Sequence, residues 1–314
     1  MKEVVFTKPP YMNASEQRIA DMHTVLNILS VVLGEVCLNE PRHEELKDAF
    51  YRLESNLRSI ATAIKENGEL SGLIARMRES EADVLAFMRS ALAAATRAEA
   101  RAEIEESMGN LESVYCVLKL RLNELDMRAE DPDLWVQIDS GDFRKQFEDV
   151  FDAIAKNSRG RFGIHFDSEQ KGPQDYCIDL KIDANAMNGW LWMPLRMLDV
   201  LRDLTANARK YTEPGGRVSL AFYQDEHKMA AVIEDSGCGI PEDELEGVAE
   251  FGYRASNVRH RPTRGGGFGL TKAIWLVTSW GGRISINSGL DEGSVIRIDL
   301  PNLKLPADPM IWVE

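Results

Sequence analysis

The chain has 314 residues, with 44% hydrophobic and 28% charged side chains, an ordinary globular balance with enough apolar material for sizeable cores. Its formal net charge of -14 argues against general binding of nucleic acid, because a phosphate backbone needs a positive patch. The four cysteines (Cys37, Cys116, Cys177, Cys238) form no CxxC pair and no Cys/His cluster with metal-ligand spacing, so they read as reduced thiols.

Residues 1–14 read as a flexible lead without a signal-peptide core. From Ser15 to Arg128 the chain is rich in Ala, Leu, Glu and Arg, the strong helix formers. Breaks at Asn39-Glu40-Pro41, at Asn67-Gly68 and near 95–101 divide it into four predicted helices, 15–38, 42–66, 69–95 and 98–128. The first carries Ile19, Met22, Leu26, Leu29, Leu33 and Val36 on one face, and Val25, Ile28, Val31 and Val32 extend the apolar surface around it. A helix apolar on most sides must be covered on most sides, which predicts a bundle made within the chain or with a second copy. The longest apolar run, Val25–Leu33, is interrupted at Asn27 and Ser30 and falls short of the ~18 residues a membrane span needs. A cytoplasmic protein with no membrane span is therefore expected.

At Asp131-Pro132 the pattern changes. Trp135–Ile138, Phe162–Phe166, Tyr176–Ile182, Trp190–Trp192, Val218–Tyr223, Met229–Glu234, Arg283–Asn287 and Val295–Leu300 read as strands. Asp142–Lys156, Pro194–Lys210 and Leu270–Trp280 read as helices, with Pro194 suited to a first helical turn. The expected fold is α+β: an all-α hairpin or four-helix bundle over 15–130, a two-layer α/β sandwich over 131–304, and a tail at 305–314.

Three segments of the second half carry chemistry. In Leu201–Thr212, Asp203 and Asn207 lie four apart on one helix face, where a carboxylate and an amide can hold a hydrated Mg²⁺; Lys210 follows within reach of phosphate oxygens. Taken alone, this is also what an amphipathic surface stripe looks like. In Glu234–Pro241, Gly237 and Gly239 permit a tight turn after an apolar strand, and Asp235 is placed to accept from an adenine amino group. Gly265, Gly266, Gly267, Phe268, Gly269 and Leu270 run straight into a helix, whose N-terminal N–H groups suit phosphate.

Together the three resemble the ATP-binding motifs of the histidine kinase, gyrase, Hsp90 and mismatch-repair ATPase superfamily, with the order and spacing of sensor histidine kinases. The resemblance covers about 133–302, with Phe251 standing for the aromatic motif and Gly293-Ser294 for the closing element near adenine. It implies that Asn207, assisted by Asp203, would ligate Mg²⁺. Lys210 and Tyr211 would touch phosphates, Asp235 would read adenine, and 241–264, with Arg254, Arg259, His260, Arg261 and Arg264, would form the lid.

His23-Thr24-Val25-Leu26-Asn27-Ile28-Leu29 resembles the family's phosphoacceptor motif at His23, Asn27 and Leu29, with Thr24 in place of the usual acid and Ile28 in place of the usual proline. His43, His165, His227 and His260 lie in less suggestive contexts. The resemblance implies a soluble ATP- and Mg²⁺-dependent histidine kinase of a two-component system. Its partners would be a response-regulator receiver domain, a separate sensor protein or domain, and a second copy through the helical region. A serine-type kinase of the same superfamily, which can also carry a four-helix bundle, and a non-catalytic phosphotransfer scaffold are the alternatives.

Overall fold

The computed structural model describes residues 1–41, 44–66, 68–166, 172–260, 266–301 and 310–311. Two units are resolved: Asp21–Asp131, and Met1–Ala20 together with Pro132–Glu314.

The helical unit is built on α1 (Ala14–Leu38), α2 (Glu44–Lys65), α3 (Leu70–Ala94) and α4 (Ala98–Glu130). On α2 the buried residues Phe50, Leu53, Leu57, Ile60 and Ile64 recur every three or four positions, the spacing of one helix face. They share a core with Met22, Val25, Leu29, Val32 and Val36 of α1, Met77, Val84 and Met88 of α3, and Leu111, Leu118 and Leu122 of α4. Each fully buried aliphatic side chain here contributes about 1.5–3 kcal/mol. Gly68 ends α2 by donating its N–H to the Ala63 carbonyl, and the extended backbone of Ala95 ends α3. Ion pairs Arg78–Asp126 (2.6 Å) and Lys119–Glu81 (2.8 Å) set the register of α3 against α4. Burial pushes the Tyr115 phenol up to about 12, and its oxygen lies 3.2 Å from the Ser80 hydroxyl.

One expectation about α1 needs correcting. An 18-residue window of Ala14–Leu38 has a mean hydropathy of 1.4, so the helix is long and apolar enough to cross a membrane by length and composition. Counting only uninterrupted apolar residues missed this, because Asn27 and Ser30 break the run without lowering the average much. The same composition suits a bundle helix, and five of its apolar residues sit in the bundle core.

In the α/β unit, a seven-stranded sheet has the order β1-β8-β9-β7-β6-β4-β3. Its strands are β1 (Lys2–Phe6), β3 (Ile164–His165), β4 (Tyr176–Asp183), β6 (Arg217–Gln224), β7 (Lys228–Asp235), β8 (Arg283–Ser288) and β9 (Ser294–Pro301). A second sheet pairs β10 (Met310–Ile311), β2 (Trp135–Asp139) and β5 (Trp190–Pro194) in that order. Alternate residues of the central strands are buried (Val218, Leu220, Phe222; Met229, Ala231, Ile233), as a half-covered sheet requires. The cover is α5 (Ser140–Asn157), α6 (Leu195–Tyr211) and α7 (Gly269–Ser279), with α6 on β6 and β7, and α7 on β8. The α+β architecture expected from the sequence is the one observed.

The stretch expected as a flexible lead contains β1, which pairs antiparallel with β8 from Lys2↔Ser288 to Phe6↔Ile284. Phe162–Phe166 contracts to Ile164–His165. Pro194 closes β5 and caps α6, one position before the first turn in which it was expected, with an extended ψ of 133°. Within the expected tail, Met310 and Ile311 pair with Val136 and Gln137.

Candidate nucleotide site

α6 supplies the first wall. Asp199, Asp203 and Asn207 follow one another at four-residue steps, so they form a stripe leading to the C-terminal end of the helix. Asn207 is half-buried, and Lys210 and Tyr211 close the last turn. Burial, then the charges of Arg254 and Arg209, push Lys210 from 10.5 down to about 8. Arg209 lies over the rings of Phe162 and Tyr176, each at 5.6 Å.

The floor is the turn after β7. Oδ1 of Asp235 accepts the Gly237 N–H at 2.8 Å, and burial pushes its carboxyl up to about 6 against the pull of the Gly237 and Ser294 N–H groups. Cys238 donates its N–H to the Tyr211 carbonyl at 3.1 Å, tying the turn to the end of α6. A Cβ on Gly237 would lie 2.5 Å from that same carbonyl oxygen, and one on Gly239, at φ +62°, would run into the Gly289 carbonyl. Glycine is required at both positions by close backbone approach. Beneath them the buried hydroxyls of Ser288 and Ser294 lie 3.0 Å apart, and Ser288 accepts the Ile240 N–H.

The other wall is the start of α7. Gly267 has φ +77°, and a Cβ there would meet the Tyr253 carbonyl at 2.5 Å. Phe268 occupies the N-cap, so Gly269 and Leu270 present first-turn N–H groups, with no side-chain cap bond made by Phe268. Phe251 stacks on Phe268 at 4.5 Å, which joins the expected aromatic motif to the second glycine motif. Glu244 accepts from Tyr253 (2.6 Å) and from the Ser256 N–H (2.8 Å), and Asn257 donates to the carbonyls of Cys238 and Gly239. Arg259 donates to the Arg254 carbonyl, and His260 is exposed. Gly265, Arg261 and Arg264 lie outside the described residues, as does His43.

The structure gives Asp203 an ion-pair partner within the protein. Its carboxylate, expected to assist Asn207 with a metal ion, is 2.6 Å from Nζ of Lys272, a fully buried residue of α7. Lys272 also reaches Asp199 at 3.5 Å. A buried carboxylate beside an ammonium is held by it, because separating them would leave two uncompensated charges. Among the described residues no group of three or more His, Cys, Asp or Glu side chains is placed to hold a metal. An amide oxygen such as that of Asn207, together with phosphate oxygens and water, is a donor set that Mg²⁺ accepts. Sequence reasoning missed Lys272, although a lone cation inside the apolar run Thr271–Val277 was a readable signal.

His23 and Asn27 lie one turn apart on α1, both half-buried, in the helical unit.

Residues 193–304 match the family model described as histidine kinase-, DNA gyrase B-, and HSP90-like ATPase. The sensor histidine kinase RppB of Synechocystis sp. is 32% identical over 130 residues, which are 41% of this chain and 29% of that protein. The sensor protein SrrB of Staphylococcus aureus is 32% identical over 112 residues, 36% of this chain and 19% of its own length. Among solved structures, the mycobacterial sensor histidine kinase MprB aligns with 54% of this chain and 98% of its own, at 21% identity and a TM-score of 0.36. The match thus spans under a third of the length of either curated relative. Residues 193–304 are thus similar to the histidine kinase-, DNA gyrase B- and HSP90-like ATPase family, and the two glycine turns, the Asn207 helix and the Asp235 floor all lie within that span.

Proposed function

We propose that the chain is an ATP-dependent protein histidine kinase that phosphorylates its own His23 and passes the phosphoryl group to an aspartate of a response-regulator receiver domain. The observation that carries the reading is the cation pair at the nucleotide site. Burial first, and then the charge of Arg254, lowers the pKa of Lys210 at the end of α6, and a bound anion would offset the repulsion between the two cations. Phosphate oxygens also suit the first-turn N–H groups at the start of α7. Adenine suits the Asp235 carboxylate, which accepts from an exocyclic amine more strongly when ionised.

In this reading the His23 imidazole attacks the γ-phosphorus. A nitrogen–phosphorus bond forms, the bond to the β-phosphate oxygen breaks, and ADP leaves. Transfer to the receiver aspartate then breaks the nitrogen–phosphorus bond and restores the imidazole. Mg²⁺, when bound, would neutralise charge on the phosphate oxygens, and the Asn207 amide would hold it. Tyr211 lines the phosphate end beside Lys210, 5.2 Å from its ring. Asn27 stands where an amide orients water for dephosphorylating the partner. A second copy through the helical unit and a separate sensor belong to the same reading. Because ATP is the donor, the α/β unit lies on the cytoplasmic side.

The test is self-labelling of the full chain with γ-labelled ATP and Mg²⁺. An acid-labile, base-stable label that disappears in His23→Ala is the expected result. An acid-stable label, or a label that His23→Ala retains, overturns the assignment.

A further inference from the structure

Below the nucleotide site lies a charged cluster that no step above uses. Lys272 is fully buried, and Asp199, Arg202 and Asp203 are 3%, 3% and 8% exposed, values that leave no room for hydration by bulk water. The Lys272 ammonium sits 2.6 Å from Asp203 and 3.5 Å from Asp199, and Arg202 lies 4.0 Å from Asp199. Arg202 also donates to the Leu198 carbonyl and to the Gln146 side chain of α5. Two cations and two anions balance. Such a cluster does little for net stability, because desolvation offsets attraction, so its use must be sought in what it positions.

The positions of the four residues say what that is. Asp203 lies one helical turn before Asn207 on the same stripe of α6. Lys272 lies one turn after Gly269, at the start of α7, the helix whose N-terminus faces the nucleotide. The Lys272–Asp203 contact therefore joins the two elements that hold the phosphate end, one turn behind the working residue on each. A rotation of α6 or a slide of α7 that misplaced the Asn207 amide would have to pull a buried ammonium off its carboxylate.

We propose that Lys272 is a positioning residue: its ammonium, held on Asp203, fixes the Asn207 amide against the first turn of α7, and thereby sets the affinity for the metal-bound form of the nucleotide. The inference rests on the nucleotide-site half of the proposed function and is independent of His23. It also makes Asp203 a ligand of the protein's own cation and not of the metal.

ATP binding to the full chain, measured calorimetrically with Mg²⁺ and again with chelator, separates positioning from general loosening. Wild type, Lys272→Met, Asn207→Ala and the double variant Lys272→Met/Asp203→Asn are compared, each with its unfolding midpoint. Lys272→Met is expected to weaken binding about tenfold in Mg²⁺ and less than about threefold without it. Asn207→Ala is expected to show the same split, and combining it with Lys272→Met to add little further loss, as for residues acting as one unit. If Lys272→Met does not fold, the double variant, which removes one charge of each sign, carries the test, with the same split expected. Equal losses with and without Mg²⁺, or unchanged affinity in a folded variant, overturn the proposal. Wild type that binds ATP but acquires no label would refute the kinase reading and leave this inference standing. Wild type that binds no ATP would refute both.

Discussion

In the proposed nucleotide site, Lys210 and Asp235 would set opposite pH limits on binding. Lys210 attracts phosphate only when protonated, and its pKa is pushed down to about 8 by burial and by Arg254 and Arg209. Asp235 accepts from an amine more strongly when ionised, and burial has pushed it up to about 6. ATP affinity should therefore be highest between about 6 and 8, falling on both sides. Bound phosphate favours the charged lysine, so binding near pH 8 should take up protons; buffers of different ionisation enthalpy will reveal this in the calorimeter. Lys210→Met should abolish the alkaline limb and leave the acid limb in place. An alkaline limb that persists in Lys210→Met would show that another group sets it. Stability follows the same linkage with its own signs. For Lys210 the unfolded chain binds more protons between about 8 and 10.5, so the penalty from this residue is full below 8 and is relieved as pH rises through that window. For Asp235 the folded chain binds more protons between 3.8 and about 6, so its contribution declines as pH rises there.

These residues differ in how far the sequence announced them. Gly237, Gly239, Gly267 and Phe268 were legible because a glycine-rich turn after a strand, or before a helix, has few other uses. Asp235 and Lys210 were legible as types, but their shifted pKa values come from burial and from Arg254, which the fold brings near from 44 positions away. Asp203 was read from its spacing to Asn207, which suits a metal as well as a packing role. Its ion pair with Lys272 was not legible, because a residue 69 positions downstream is invisible to local spacing.

At the scale of elements, periodicity located the long helices and the central strands to within a few residues, since each buries one clear face. β1 escaped because it is short, lies at the sheet edge and shows Val4, Val5 and Phe6 as a contiguous run, not an alternation. Its pairing with β8 supplies the missing information: Val4 and Phe6 are half-buried while Val5 is exposed. The strand is separated from β7, which ends at Asp235, by β8 and β9. A break in β1 should therefore cost stability and spare the site. Val4→Pro removes an N–H and restricts the backbone in an edge strand, at a cost of about 1–3 kcal/mol. Amides of Ile284 and Ile286 on β8 should then exchange faster with solvent, while ATP affinity stays within about threefold. A large loss of affinity would mean that the edge of the sheet supports the nucleotide site after all.

On the scale of the whole molecule, the chain passes through its units in an unusual order. Met1–Ala20 belongs with the α/β unit, Asp21–Asp131 forms the helical unit, and the chain then returns to complete the first. β1 and β8 are thus joined across more than 270 positions of sequence, a closure whose entropic cost grows only slowly with length. Each unit has its own hydrophobic core, which predicts two thermal transitions. ATP binds one unit, so ATP at a hundred times its dissociation constant should stabilise that unit by about 2.7 kcal/mol and raise one transition alone. Ile60→Ala, in the bundle core, should lower the other by about 2–5 kcal/mol. Scanning calorimetry of the full chain, with and without ATP, tests both at once. A single transition that moves with ATP and with Ile60→Ala alike would show the two units to fold as one, and the return of the chain to pair β1 would be the natural source of that coupling. Two independent shifts would instead mean that nucleotide binding stabilises the α/β unit without stabilising the helical unit.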